Sequence, residues 1–411
     1  MEKELRFLSL DIEGYPLFEN NLHFSLLTDS RVSQDYADSL MHLFGSNYTN
    51  NITTIVGKNA TGKTMIMKIT MGILSLLFNG KSVKETRLKE VLFDDSDVKF
   101  TVYLYGNDKY LYQDQIIIGS KFDGLESNFE VKSEKIFKKK AKVSEPKRDL
   151  LTFSKRDLIL DRNNLKSDVA AALASDDSMF RMIVRAGNYR VPMITDNTIF
   201  TNTNFFIPNL GDVPSEILEY LDPSIEYLKI AKADNNKAFY RLKFKDREEE
   251  LTDQNFATIE YYLSSGTAKG ISLYTQILRT LKSGGIIFVD EIENHFNHAI
   301  ARSFINYFKD SAININNAKL VFTTHYSEFL DDMDRNDQIF IARRLSKISL
   351  TRYSSTKIRS DILRSDVFMS NGIDGTAPEY SAYIALKKAT INSIKNYGHR
   401  REVCKDEQTL L

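Results

Sequence analysis

The stretch Gly57-Lys58-Asn59-Ala60-Thr61-Gly62-Lys63-Thr64 fits the pattern G-x-x-x-x-G-K-[ST] at every fixed position. Such spacing suits phosphate binding. The two glycines let the backbone curl so that its N–H groups point inward at phosphate oxygens, and the helix that follows adds its partial positive charge. Lys63 can reach the β- and γ-phosphates, and the Thr64 hydroxyl can ligate Mg²⁺. An ordinary glycine turn before a helix would share part of the pattern. Context separates the two. Asn51-Ile52-Thr53-Thr54-Ile55-Val56 reads as a strand, and residues 65–78, without proline, read as an apolar helix.

A second set lies downstream. Ile286-Ile287-Phe288-Val289 is an apolar strand that ends in Asp290-Glu291. A carboxylate at the C-terminal end of such a strand faces a phosphate loop, where Asp290 can hold Mg²⁺ directly or through water. Glu291 beside it can orient or deprotonate an attacking water. Alone, four apolar residues before Asp-Glu are a weak signal. Leu263-Ser264-Ser265-Gly266-Thr267-Ala268-Lys269-Gly270 opens a helix about twenty residues before Asp290. Its small hydroxyl residues make an anion-binding N-terminus, although Ser264 or Ser265 would equally serve as a plain N-cap. His325 ends the apolar run 320–324. A lone histidine is more often a packed or surface residue; one element after Asp-Glu it can hydrogen-bond a γ-phosphate.

The elements that must position these residues follow from patterning. Residues 5–12 alternate as a first strand, with 21–27 as a hairpin partner. Polar residues 28–51 lead to the loop strand. Residues 98–105 and 110–118 form a hairpin about Gly106-Asn107-Asp108. From about 119 the character changes: residues 130–166 hold twelve basic and six acidic side chains, a net +6. Residues 168–188 are alanine-rich and helix-compatible, with no sustained heptads. Residues 225–231 and 238–244 read as strands around Asp234-Asn235-Asn236-Lys237. After the 256–281 loop and helix come strand 286–289, helix 299–308, and strands 320–324 and 338–343. Expected boundaries are 1–119 for the first part of the catalytic domain, 120–220 for an inserted mainly helical subdomain, 221–345 for the second part and 346–411 for an extension.

The chain has 411 residues with 55 basic and 55 acidic side chains, so nucleic acid or membrane contact would have to be local. Cys404 is the single cysteine, which excludes an internal disulfide or a multi-thiolate zinc site and points to a reducing cytoplasm. Residues 1–7 carry mixed charges before no long apolar stretch, and no run of 18 apolar residues occurs, so neither signal peptide nor spanning helix is expected.

Together the loop 57–64, Leu263–Gly270, Ile286–Glu291 and His325 resemble the Walker A, signature, Walker B and switch-histidine motifs of an ABC-type ATPase head. Ser265-Gly266 departs from the two-glycine transporter signature and is similar to the SMC/Rad50/OLD-like group. Asp290-Glu291-Ile292-Glu293-Asn294-His295 resembles the form found in AAA15/AAA21-type bacterial ATPases, as do residues 5–12 and Gly375-Thr376-Ala377-Pro378-Glu379-Tyr380. The resemblance covers about 1–118 and 222–385. It implies an α/β P-loop NTPase fold, an ABC-type head with a mixed sheet. Two heads would sandwich ATP and Mg²⁺. One would supply Gly57, Lys58, Asn59, Ala60, Thr61, Gly62, Lys63, Thr64, Asp290, Glu291 and His325, with Thr64 and Asp290 on the metal; the other would supply Ser264, Ser265 and Gly266. Gln113 and Gln115 both remain candidates for the family's Q-loop glutamine.

Many members of that group are anti-phage defence proteins, including the ATPases of PARIS- and Septu-like systems. The resemblance therefore implies an ATP-hydrolysing switch in a defence complex, cytoplasmic and self-associating as a dimer or higher oligomer. Only 86 residues follow His325, too few for the nuclease domain of the OLD branch, so the effector, a nuclease or toxin, is expected to be a separate protein. DNA is a further candidate partner and membrane is not. Two other readings stay open: a Rad50/SMC-like DNA-repair or DNA-organising ATPase, and a slow nucleotide-bound scaffold that traps a toxin. A transporter subunit fits least.

Overall fold

The computed structural model describes residues 2–122, 127–198, 211–232, 238–294, 297–356, 358–359, 362–373, 375–376 and 380–408. His295, residues 377–379 and the turn 234–237 lie outside them.

The central sheet has six strands in the order Ile194–Asn197, Ile286–Val289, Lys319–Thr324, Ile52–Val56, Ile339–Arg344, Ile348–Arg352. The first five are parallel and the last is antiparallel. Ile286–Val289 and Ile52–Val56 are buried along their whole length because both sheet faces are covered. Successive side chains point to opposite faces. Ile55, Phe288, Val321 and Phe340 join the core around helix Lys63–Phe78. Val56, Ile287, Phe322 and Ile341 join the core under helices Ser265–Ser283 and His298–Lys309. Truncating Phe288, Phe322 or Phe340, each at most 1% exposed, to alanine would cost about 3–5 kcal/mol.

Against the other side of Lys63–Phe78 lies a second sheet of seven strands, mostly antiparallel. Strand Lys3–Glu13 pairs with Leu22–Ser25 and with Val98–Gly106, which continues into Tyr110–Phe122. The hairpins read in the sequence are therefore present. A further small hairpin, Leu40–Phe44 with Asn47–Asn50, occupies the stretch expected to be only a polar connection.

Among the described residues of the expected mainly helical insert at 120–220, strands hold more of the chain than helices. Strand Tyr110–Phe122 runs across the proposed boundary and pairs with Ser127–Lys140, which pairs with Leu158–Asp161. Tyr189–Arg190 then joins the same sheet and Ile194–Asn197 the central one. The helices here are short, Ser167–Ala171, Phe180–Gly187 and the start of Ser215–Leu221. Lysine-rich composition hid the strand. Val131, Glu134 and Ile136 are buried, while the lysines between them reach water or partners. Lys138 lies 4.0 Å from the Tyr110 ring centroid, and Lys139 donates to Glu145 at 2.6 Å. Lys132 donates to Asp97 at 2.6 Å, and Arg162 to buried Glu134 at 3.3 Å. Much of the basic excess is spent on holding this region together.

The boundary at 346 is corrected too. It falls inside the hairpin Ile339–Arg344/Ile348–Arg352, and Tyr353, Val367, Phe368 and Ile373 belong to the second core. Strands Gly211–Asp212, Ile225–Lys232, Ala238–Phe244 and Glu250–Asp253 form a small antiparallel sheet. Its core includes Ala268 and Ile271 and so fixes the first turns of helix Ser265–Ser283. Among the described residues no helix is long and apolar enough to cross a membrane.

Candidate functional site

The phosphate-type loop joins a central strand to helix Lys63–Phe78, as its pattern requires. Gly62 precedes the helix at φ +87°, where an L side chain is strained. A Cβ there would also stand 2.6 Å from Ile348 Cδ1. Gly57 is needed for another reason: a Cβ would stand 2.3 Å from the Ala342 carbonyl oxygen. Both glycines are thus pressed by the hairpin Ile339–Arg344/Ile348–Arg352. Lys63 is buried and donates to the carbonyls of Gly57, at 2.8 Å, and Lys58, at 3.0 Å. Burial lowers its pKa, while Asp290, Glu291 and Glu293 pull the other way.

Parallel pairing brings the other motifs to the same end of the sheet. The loop strand lies beside Lys319–Thr324, which lies beside Ile286–Val289. The Thr64 hydroxyl donates to Asp290 Oδ2 at 2.7 Å, and the Thr323 hydroxyl donates to Asp290 Oδ1 at 2.5 Å. The same Thr323 oxygen accepts the Glu291 N–H at 2.7 Å. Glu291 holds a left-handed backbone at φ +49°, a strained state that neighbouring contacts must maintain. Its Oε1 lies 3.1 Å from His325 Nε2, and His325 Nδ1 lies 3.4 Å from Lys63 Nζ. The His325 N–H donates to Glu293 Oε1 at 2.6 Å. A cavity of about 500 Å³ is lined by Asn59 to Met65, Glu291, His325, Arg344 and Ile348. A second, of about 590 Å³, is lined by Gly57 to Thr61, His325, Arg344, Phe368, Met369 and Thr376.

The structure thus brings Lys58, Asn59, Ala60 and Thr61 near Lys63, Thr64, Asp290, Glu291 and His325. The signature residues do not join them. Ser264 caps helix Ser265–Ser283, accepting the Thr267 N–H at 3.0 Å, and Ser264, Ser265 and Gly266 line neither cavity. Neither candidate glutamine lines them. Gln113 donates to the Tyr103 hydroxyl at 3.2 Å, and Gln115 to Gln113 Oε1 at 3.3 Å.

Four residues escaped sequence reasoning. Thr323 and Glu293 lie within recognised segments but carry bonds that only pairing reveals. Buried Lys269, one turn into the signature helix, has its pKa lowered by burial against the opposing pull of Glu291, Asp290 and Glu293. Arg344 reaches both cavities from the end of a strand with no motif.

This arrangement has the α/β P-loop fold of an ABC-type head. Residues 52–331, more than half of the chain, match the family profile described as "AAA domain, putative AbiEii toxin, Type IV TA system". No curated protein matches. Among solved structures, the SMC head domain from Thermotoga maritima is similar at 10% identity, over 84% of this chain and 98% of that one, with a TM-score of 0.36. By the family match, the chain belongs to this AAA domain family.

Proposed function

We propose that this chain binds ATP with Mg²⁺ and hydrolyses it between two copies, as the switch of a bacterial anti-phage defence complex with a separately encoded effector, a nuclease or toxin. The observation that carries the hydrolytic part is the junction of Thr64, Asp290 and Glu291 through Thr323. In this reading the junction would join two metal-binding oxygens to the carboxylate that activates water.

The donors fit magnesium. They are hard oxygens, one hydroxyl and one carboxylate, and Mg²⁺ fills its octahedron with water and substrate phosphates. Among the described residues no group of three His, Cys, Asp or Glu could cage a metal alone. When bound, the ion would neutralise charge on the phosphates. Lys63 would exchange its two carbonyl partners for phosphate oxygens. Glu291 would accept a proton from the attacking water, with His325 fixing its carboxylate. Because Ser264, Ser265 and Gly266 lie off this cavity, they would act on the nucleotide of another copy. The defence role rests on the motif resemblance, and the toxin–antitoxin description of the matching family fits it.

Glu291→Gln tests the reading. ATP binding should persist, turnover should fall by about 10²–10⁴-fold, and a paired species should accumulate with ATP in size-exclusion chromatography. Wild-type turnover in the variant would remove Glu291 from its role.

A further inference from the structure

We propose that Arg344 is a second cation for the nucleotide's phosphate chain, brought over the loop by the hairpin Ile339–Arg344/Ile348–Arg352. The inference rests on the reading that the cavity takes ATP, and adds a residue outside every motif named above.

The hairpin is fixed against the loop. Its first strand pairs with the loop strand, Ile341 opposite Val56. Ala342 packs on Gly57 and Ile348 on Gly62, both too close to admit a Cβ without movement. Arg344 and Ile348 face each other at the hairpin end. Strand alternation separates the two arginines here. Arg343 donates to Thr351 Oγ1 at 2.9 Å, whereas Arg344 Nη1 stands 3.5 Å from the Ala60 carbonyl oxygen. That second contact is at the limit of a hydrogen bond. Arg344 is exposed and lines both cavities, which share Asn59 to Thr61. Among the described residues it makes no ion pair.

Chemistry favours phosphate as its partner. The cavity already holds Lys63 for the loop side, but Lys63 is a point charge buried under the chain. A guanidinium offers a planar fork that can grip two phosphate oxygens at once. From the cavity mouth it would close on the nucleotide after entry, without rearranging the hairpin that the two glycines hold.

The test uses the full chain and calorimetric titration with ATP and with AMP. Arg344→Ala should weaken ATP by about tenfold or more, the loss of one charged contact, and AMP much less. The ATP deficit should shrink at high salt. Arg344→Lys should recover part of it, and the melting temperature without nucleotide should stay at the wild-type value. Equal losses for ATP and AMP would put Arg344 at the nucleoside end and overturn the phosphate assignment. A lowered nucleotide-free melting temperature would make it a clamp on Ala60 and overturn the proposal as well. Lys63→Ala separates the two levels. If it abolishes ATP binding while Arg344→Ala binds normally, Arg344 is wrong and the nucleotide reading stands. If Lys63→Ala binds normally, the nucleotide reading falls.

Discussion

Thr64 Oγ1 and Asp290 Oδ2 are joined by a 2.7 Å hydrogen bond across 226 residues of sequence. On the proposed function, both oxygens would ligate Mg²⁺. Asp290→Asn should therefore raise the magnesium concentration needed for half-maximal turnover by at least about tenfold, and Thr64→Ala should shift it in the same direction. Magnesium titrations of ATPase rate would show this. An unchanged magnesium requirement in both variants would remove the pair from the metal site.

Ser265→Arg and Gly266→Asp address the two-copy arrangement. Both residues open a helix outside their own cavity. Each variant should bind ATP with affinity close to wild type, yet fail to pair and lose most turnover. Binding by calorimetry and pairing by light scattering separate the two effects. Normal hydrolysis in both variants would mean that one copy suffices.

Gly62→Ala tests the loop's backbone. At φ +87° a Cβ costs about 1–2 kcal/mol, and Ile348 stands in its way. A lower melting temperature and weaker ATP binding should appear together. Ile348→Ala in the same background should relieve the steric part. If Gly62→Ala melts and binds like wild type, the left-handed turn is not required.

The pair Asp114 and Glu134 predicts a pH dependence. Both are fully buried. Glu134 accepts from Arg162, Ser178 and the Met179 N–H, whereas the Asp114 carboxyl meets the Glu134 carboxyl. Burial first, then Glu134, pushes the Asp114 pKa well above its ordinary value. A carboxyl raised in the folded state contributes its stability below the unfolded pKa and loses it as pH rises through the folded one. Stability should fall as pH climbs above the ordinary carboxylate range, and Asp114→Asn should flatten that fall. Thermal unfolding from pH 5 to 9 measures it; parallel curves for variant and wild type would refute the assignment.

Within the basic stretch, Lys139 and Lys140 should differ. Lys139 bonds Glu145 and the carbonyls of Asp149 and Thr152, while Lys140 is exposed. Lys139→Glu should destabilise the fold by about 1–3 kcal/mol, and Lys140→Glu by no more than about 0.5 kcal/mol. Denaturant titration would compare them. Equal effects would mean that the Lys139 contacts contribute nothing.

The sequence alone determined the parts whose chemistry is local. The loop 57–64 needs only consecutive residues between a strand and a helix. Asp290-Glu291 and His325 each follow an apolar run whose burial on both faces is written in its composition. The hairpin around residues 106–108 carries its own turn signal. Tertiary structure decided what depends on pairing between distant segments. It set Lys319–Thr324 between the two motif strands, so that one Thr323 oxygen serves both Asp290 and Glu291. It turned lysine-rich 127–140 into a strand, because cross-strand tyrosines and carboxylates receive those lysines. It also pressed a motifless hairpin onto Gly57 and Gly62, placing Arg344 at the cavity. Strand order, register and the aim of a side chain are free energies of long-range contact. Spacing along the chain does not encode them in any single window.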